Sequence, residues 1–421
     1  MRRLPPLTEY VPERAVPLST SERDEVQTRA RQITLTPSMG REGCYDLTPG
    51  SWIGAINTGS VEIEIRPKFP INRVLFLLSY TLDPRQWQDT FFAVREEESL
   101  LEAVIPAFVM HVRRAFQRGI VQGYRAEDAA LATVRGRLRF DDQIRFRFGI
   151  FPPIEVRYDD FTEDIEINRL IKAAIACLGR LPLRSGEARG MLRAFDASLA
   201  NVQHIHYDAR NLPPVTYTRL NEHYRPAVEL AKLILRSGSF DLHGGRVQAS
   251  TFLINMNEVF EGFVVTALRE ALELSLRSFP REARGRALYL DESMKVALEP
   301  DLSWWERDKC VFVGDVKYKD AGTEGVVNAD LYQLLAYATA ANLPGGLLVY
   351  AAGQSELVTH RIKWAEKELY AVALSLNREP EDILKQVQPI VHYICHLRRR
   401  AWSQGVSASE HDMALSGVSN R

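Results

Sequence analysis

The chain has 421 residues, 46% of them apolar and 25% charged, with a formal net charge of −1. That length allows two or three domains with a sizeable core, and the charge balance excludes a uniformly basic DNA-coating protein while leaving room for a local basic cleft. No apolar run approaches the ~20 residues of a membrane span, the N-terminus lacks an apolar h-region, and Cys44, Cys177, Cys310 and Cys395 form no C-x-x-C pair, so a cytoplasmic protein without a zinc site or membrane contact is expected.

Residues 1–50 carry prolines at 5, 6, 12, 17 and 37 and read as irregular or β-rich. The strict alternation Val61-Glu-Ile-Glu-Ile predicts a strand with one buried face, ended by Pro67. A helix is expected to begin at Asn72. Ser99–Arg118 reads as an amphipathic helix or helix pair interrupted at Pro106, with Arg113, Arg114 and Arg118 at its C-terminal end. Thr133–Arg147 reads as two strands around Asp141-Asp142. Arg135, Arg137 and Arg139 would share one face and Arg145 and Arg147 another, as a solvated sheet face or as a contact for phosphate or an acidic partner.

From Glu155 a strand is expected to turn at Asp159-Asp160, with Thr162 or Asp164 capping the helix that follows. Apolar residues at 167, 170, 171, 174, 175 and 178 give that helix its buried stripe. Helix continues to about residue 200 and again over Glu222–Leu235. Residues 237–249, with Gly238, Gly244 and Gly245, read as an interdomain loop.

Asn255–Leu276 is a helix apolar on most sides. Glu261 shares its wheel position with Val264, Val265 and Leu268, and a carboxylate facing an apolar layer requires a partner. Glu258 lies towards the more polar side and is the alternative.

The richest stretch runs from Leu298 to Asp320, LEPDLSWWERDKCVFVGDVKYKD. Asp301 opens one apolar run and Asp315 closes the next. Glu306-Arg307-Asp308-Lys309 between them suits a hairpin turn. Asp315 and Lys317 fall on one face because strand side chains alternate. Pairing of the two strands would set Asp301 beside Asp315. Two carboxylates and the Val316 carbonyl could then hold a hard divalent cation, with Glu261 as a third acid and Lys317 alongside. That layout serves metal-assisted phosphodiester hydrolysis. Downstream, Thr323–Val327 reads as a flexible loop and Asp330–Ala341 as a helix that places Gln333 and Tyr337 on one face. Both can donate hydrogen bonds to a phosphate or to water. Gly345–Tyr350 reads as a buried strand, Pro380–Arg400 as a last helix, and residues 401–421 as a disordered tail.

The order Glu261, Pro300-Asp301, Asp315-Val316-Lys317, Gln333 to Tyr337 resembles the PD-(D/E)xK nuclease superfamily over roughly residues 250–360. With Ile63–Lys68 (IEIRPK), Val134–Leu138 (VRGRL), Tyr158–Ala173 (YDDFTEDIEINRLIKA) and Phe260-Glu261-x-Phe263-Val264, the wider chain resembles McrC, the nuclease subunit of McrBC modification-dependent restriction systems. The resemblance implies an α/β (α+β) multidomain protein. Its β-rich N-terminal region (1–150) would dock a partner motor, followed by a mainly helical middle (151–245) and a PD-(D/E)xK nuclease core of mixed sheet flanked by helices (250–400).

The resemblance further implies a DNA endonuclease subunit using Mg²⁺, with Mn²⁺ as the alternative. Asp301, Asp315, Glu261 and the Val316 carbonyl would hold the metal, with Lys317, Gln333 and Tyr337 completing the site. It would act on double-stranded, methylated DNA alongside a hexameric McrB-like AAA+ GTPase that it stimulates. The chain has no G-x-x-x-x-G-K-[ST] loop, so GTP would be bound by the partner. The competing expectation is a non-catalytic adaptor that activates such a motor through a nuclease-like scaffold. The first 50 residues lie outside the resemblance.

Overall fold

A computed structural model describes residues 2–85, 87, 100–181, 186–243, 246–281, 286–320, 327–352 and 357–416. By internal contacts the chain divides into two compact units, one of residues 1–4, 55–63 and 99–253, the other of 5–54, 64–98 and 254–421. This differs from the consecutive regions 1–150, 151–245 and 250–400, because strand pairing splits the first hundred residues between both units. Arg2–Arg3 pairs with Val61–Glu62 in the first unit. Leu7–Thr8 pairs with Ile65–Arg66 in the second. The mixture of helices and mixed sheets is the expected α+β class.

In the first unit, helices Leu100–Phe116, Glu166–Gly179, Gly186–Ser198 and Arg225–Ser237 pack through buried residues such as Phe108, Leu170, Ile171, Leu192 and Val228. Pro106 sits inside the first of these, which remains one helix. Four expectations fail here. Only Arg137–Leu138 is strand in the stretch read as two strands; Phe140–Arg147 is a helix. Asp141 and Asp142 lie in its first turn and Arg145 and Arg147 in its last, which complements the helix dipole.

The expected turn at Asp159-Asp160 is absent too. Ile154–Thr162 is one strand, paired along its full length with Gly123–Leu131. Arg157 lies opposite Asp128 and Asp160 opposite Arg125, so the acidic residues serve as cross-strand partners. Three of those arginines are ion-paired: Arg135 with Asp160, Arg139 with Asp128, which also pairs with Arg157, and Arg147 with Glu155.

Neither Thr162 nor Asp164 caps the next helix; Ile165 holds that position without a side-chain cap. Asp164 instead accepts hydrogen bonds from Arg169 and from the Gln203 amide, and Arg169 holds its carboxyl well below the usual carboxylate range. Finally, the stretch read as an interdomain loop contains the antiparallel strands Gly238–His243 and Arg246–Asn255. The glycines at 244 and 245 lie outside the described residues.

The second unit holds the sequence-predicted site. Helix α1 (Met256–Ala271) is capped by Asn255, whose side chain accepts from the Asn257 amide at 3.1 Å. Strand β1 (Leu302–Glu306) and strand β2 (Lys309–Asp320) follow, then helix α2 (Asn328–Ala340), strands β3 (Gly345–Ala352), β4 (Val358–Ile362) and β5 (Lys367–Ala373), and helix α3 (Pro380–Ser416). The expected loop at 323–327 lies, apart from Val327, outside the described residues.

The sheet order is β1-β2-β3-β5-β4. Strands β2, β3 and β5 are mutually parallel, while β1 and β4 run antiparallel at the edges. Central strands buried on both faces read as continuous apolar runs. Gly345–Tyr350 is such a run, with Leu347, Leu348 and Val349 fully buried. Helix α1 packs on β2, and α2 on β2 and β3. The chain from 401 to Ser416 continues α3, where disorder was expected; residues 417–421 lie outside the described residues. Among the described residues no helix is long and apolar enough to cross a membrane, and all four cysteines are free.

Candidate active site

The hairpin β1–β2 turns at Arg307-Asp308, both with positive φ (47° and 63°). Two central residues of that kind give the tight turn whose twist suits a two-residue hairpin. Glu306 pairs with Lys309 and Trp305 with Cys310. The register then shifts by one: Trp304 pairs with Phe312, Ser303 with Val313 and Leu302 with Gly314. Val311 is the extra residue of a β-bulge.

The bulge decides the site. In an unbroken register Asp301 would oppose Gly314 and point away from Asp315, since a slip of one residue reverses the faces. With the shift, Asp301 is the next residue out from the Leu302–Gly314 pair and faces Asp315. Its Oδ2 accepts from the Val316 amide at 2.9 Å.

Asp315 is 1% exposed and Lys317 Nζ lies 2.5 Å from its Oδ2. This is a close ionic contact, but that oxygen has no partner with full hydrogen-bond geometry. Burial, then the Asp301 charge, pushes the Asp315 carboxyl up to about 7. Burial raises Asp301 as well, with the Glu261 charge adding to it. Asp301 faces Asp315 across the hairpin, and its charge adds to burial in favouring the protonated form of Asp315. Burial opposes the charge on Lys317, but Asp315 and Asp301 outweigh it and raise its pKa.

The remaining sequence-predicted residues are placed differently. Glu261 lies within electrostatic reach of Asp301, yet its side chain is 29% exposed instead of facing an apolar layer. The nearby cation is Arg281, at 3.9 Å, which lies across the helix at Gly262. Glu258 is exposed and accepts from Asn255 at 3.2 Å. Of the two glutamates, Glu261 is the one whose charge is felt at Asp301.

Gln333 and Tyr337 do share a face of α2, but they bond to each other: Gln333 Nε2 donates to the Tyr337 hydroxyl at 2.7 Å. Tyr337, 4% exposed, donates to the Glu299 carbonyl at 3.2 Å. The pair therefore fixes the backbone that leads into Pro300-Asp301. Burial and the nearby Asp315 push the Tyr337 hydroxyl up to about 12, so it stays a donor.

Sequence reasoning missed two groups. On the face of β2 that carries Lys317, Lys319 pairs with Asp330 of α2 at 2.8 Å, and the buried Tyr350 donates to Asp330 at 2.6 Å. The alternation Asp315-x-Lys317-x-Lys319 was a usable signal for the first of these. On the opposite face Tyr318 donates at 2.6 Å to Glu9, which is fully buried and also accepts from the Lys68 amide at 2.8 Å. No local pattern marks a glutamate 309 positions away in the chain.

Two carboxylates that face each other across one strand pair can converge on a cation, and the buried Asp315 Oδ2 lacks a well-aligned donor. The pair therefore fits Mg²⁺, which is commonly held by one or two carboxylates, with water and substrate oxygens filling its octahedron. It does not form a three-acid cage: among the described residues no three His, Cys, Asp or Glu side chains gather closely enough to hold a metal. Glu261 stands outside the pair in this arrangement.

The protonation of Asp315 gives a stability prediction. Its folded value lies above its ordinary value of 3.8, so between about pH 4 and 7 the native chain holds a proton that the unfolded chain releases. The stability contributed by this group is complete below that window and is lost as pH rises through it. Thermal melts of metal-free protein from acid to neutral pH should fall more steeply for wild type than for Asp315→Asn. At neutral pH and above, the variant should be the more stable. Superimposable profiles would show that Asp315 carries no raised pKa.

The chain matches the family described as McrBC 5-methylcytosine restriction system component over residues 47–351. It is 21% identical over 340 residues to the type IV methyl-directed restriction enzyme EcoKMcrBC of Escherichia coli K12, covering 75% of this chain and 94% of that protein. Among solved structures, it is similar to a chain in the half-complex of Thermococcus gammatolerans McrB AAA+ hexamers with bound McrC. That match has a TM-score of 0.49 and 18% identity, over 92% of this chain and 100% of the other. A chain of the T. gammatolerans McrBC complex matches with a TM-score of 0.39 and 20% identity, over 63% of this chain and 87% of its own. The family match runs through well over half of the sequence and includes the Asp301–Asp315–Lys317 hairpin, and the chain belongs to the McrBC 5-methylcytosine restriction system component family.

Proposed function

We propose that this chain is the McrC-like nuclease subunit of a modification-dependent restriction system, hydrolysing DNA phosphodiesters with Mg²⁺ at Asp301, Asp315 and Lys317. The observation that carries the reading is the hairpin geometry: Asp301 faces the buried Asp315, and a lysine ammonium lies 2.5 Å from Asp315 Oδ2. Such a pair is costly unless its charge is used, because two buried carboxylates repel and lose hydration.

Asp301 and Asp315 would hold the cation, with the Val316 carbonyl as a further oxygen. Bound there, a hard divalent ion supplies Lewis-acid polarisation of the phosphoryl oxygen and lowers the pKa of water. Asp315 must first give up its proton, so cation affinity should rise with pH up to about 7. Lys317 keeps its proton at Nζ and offers it as a hydrogen bond to the attacking water or to a phosphate oxygen. Tyr337 and Gln333 act as positioning residues by fixing the Glu299 carbonyl and thus the approach of Asp301. Glu261 adds negative charge near Asp301, and its own use as a metal ligand would require its carboxylate to leave Arg281.

A hexameric McrB-like AAA+ GTPase is the proposed partner, and double-stranded methylated DNA the proposed substrate. Both are supported by the family description and by what the names of its relatives state of them. The test is reconstitution of the full chain with a McrB-like AAA+ protein, followed by assays of nucleotide hydrolysis and cleavage of methylated DNA with Mg²⁺ and with chelator. Cleavage that requires both the metal and the partner is the expected result. Stimulated hydrolysis of nucleotide without any DNA cleavage would overturn the nuclease reading in favour of a non-catalytic adaptor.

A further inference from the structure

Strand β2 carries a second lysine that the nuclease reading does not use. Lys319 and Tyr350, the β3 neighbour of Lys317, both bond Asp330. This puts the two lysines on the α2 side of β2, although the β2–β3 register shifts between Lys317 and Asp320. Two residues of strand span about 7 Å. That is close to the separation of neighbouring phosphates along one DNA strand. The two ammonium groups are held by different carboxylates. Lys317 faces the aspartate pair. Lys319 contacts both oxygens of Asp330, at 3.0 and 2.8 Å.

Asp330 is built to hold it. Its side chain is 7% exposed, it opens the first turn of α2, and it takes a hydrogen bond from the Tyr350 hydroxyl at 2.6 Å. Tyr350 is 1% exposed and lies beside Lys317 in the β2–β3 register. A polar row thus runs Asp315, Lys317, Tyr350, Asp330, Lys319. Its inner end is closed, while the Lys319 side chain is 39% exposed. An ammonium has three N–H donors, and one carboxylate leaves at least one of them for a ligand. A tie of α2 to the sheet alone would not require a lysine on the face of the catalytic residues, at the spacing of the next phosphate.

We propose that Lys319, oriented by Asp330 and Tyr350, binds the DNA phosphate next to the one cut at Asp301, Asp315 and Lys317. This rests on the nuclease reading and adds a substrate-binding residue to that site. The ligand is a backbone phosphodiester, so the contact is blind to base sequence.

The experiment is equilibrium binding of a fluorescent DNA duplex to the full-length chain in Ca²⁺, as a function of salt. Each phosphate contact contributes about 0.9 to the slope of log affinity against log salt. Lys319→Ala should lower that slope by about 0.9 and weaken binding by about tenfold at moderate salt. Lys319→Gln, which keeps a hydrogen bond to Asp330, should show the same change in slope if the alanine variant proves unstable in thermal melts. Lys319→Arg should restore the slope. Wild-type affinity and slope in both the alanine and glutamine variants, with the wild-type complex still cutting DNA, would overturn this proposal alone. A wild-type chain that binds no DNA, in a reconstituted complex with its partner that cuts none, would overturn the nuclease reading and this proposal together.

Discussion

Replacing Asp315 with alanine should lower DNA cleavage by the reconstituted complex about 10³-fold or more, equivalent to roughly 4 kcal/mol of barrier. Asp301→Ala should do the same, because either change leaves one carboxylate to hold a divalent ion that the proposed site shares between two. Lys317→Ala should lose about 10²–10³-fold, the scale of removing one positioned donor from a charge-developing centre. Stimulation of the partner NTPase should stay near wild type in all three, since none of these side chains needs to touch the motor to act on a phosphodiester.

The aspartate variants should also fold well. Removing Asp315 relieves burial of like charge, so loss of cleavage in that variant cannot be put down to unfolding. The measurements are single-turnover cleavage of methylated DNA, partner NTPase rate and a thermal melt on each variant. Retained cutting in any two of the three would overturn the assignment.

Gly345→Ala should give the largest loss of stability, roughly 2–3 kcal/mol, the usual scale of forced overpacking. A Cβ at that position would run into the Glu368 carbonyl on the neighbouring strand β5. Main chain in the middle of a sheet cannot give way without breaking the pairs Gly345–Glu368 and Gly346–Leu369. Gly346→Ala should cost less, because the first atoms met belong to the Leu334 side chain, which can rotate. Gly190→Ala, on a helix with open space around it, should be neutral to stabilising by up to ~1 kcal/mol. Urea midpoints of the three variants test the order. Strand β3 is the parallel neighbour of β2, so Gly345→Ala should also loosen the site and lower cleavage before it unfolds the chain. A midpoint for Gly345→Ala within error of wild type would show that β3 and β5 do not approach as closely as described.

Much of the site was legible before any coordinates, and the reason is local. Asp315 and Lys317 share a face because strand side chains alternate, whatever surrounds them. The turn at Arg307-Asp308 follows from two polar residues between two β-prone runs. Gln333 and Tyr337 meet because four residues make about one helical turn. Where a local pattern had two readings, the wrong one could be chosen. Asp141-Asp142 looked like a hairpin turn but opens a helix, and Asp159-Asp160 looked like a turn but lies within a paired strand. In both cases the deciding partner is outside the window: a helix dipole in one, a strand some thirty residues earlier in the other.

The sequence by itself determined helices α1 and α2, strands β1 to β3 and the start of α3, with their order and the chemistry of their side chains, because hydrophobic period and turn residues act over a few positions; strands β4 and β5 were not legible in it. Tertiary structure decided which side chains from different elements meet. The extra residue at Val311 sets Asp301 opposite Asp315 instead of opposite Gly314. Packing leaves Glu261 beside Arg281, turns Tyr337 towards the Glu299 carbonyl, and brings Glu9 beneath Tyr318. Register, burial and pairing between residues hundreds of positions apart are set by the energy of the whole packed unit, and no short stretch of chain encodes them.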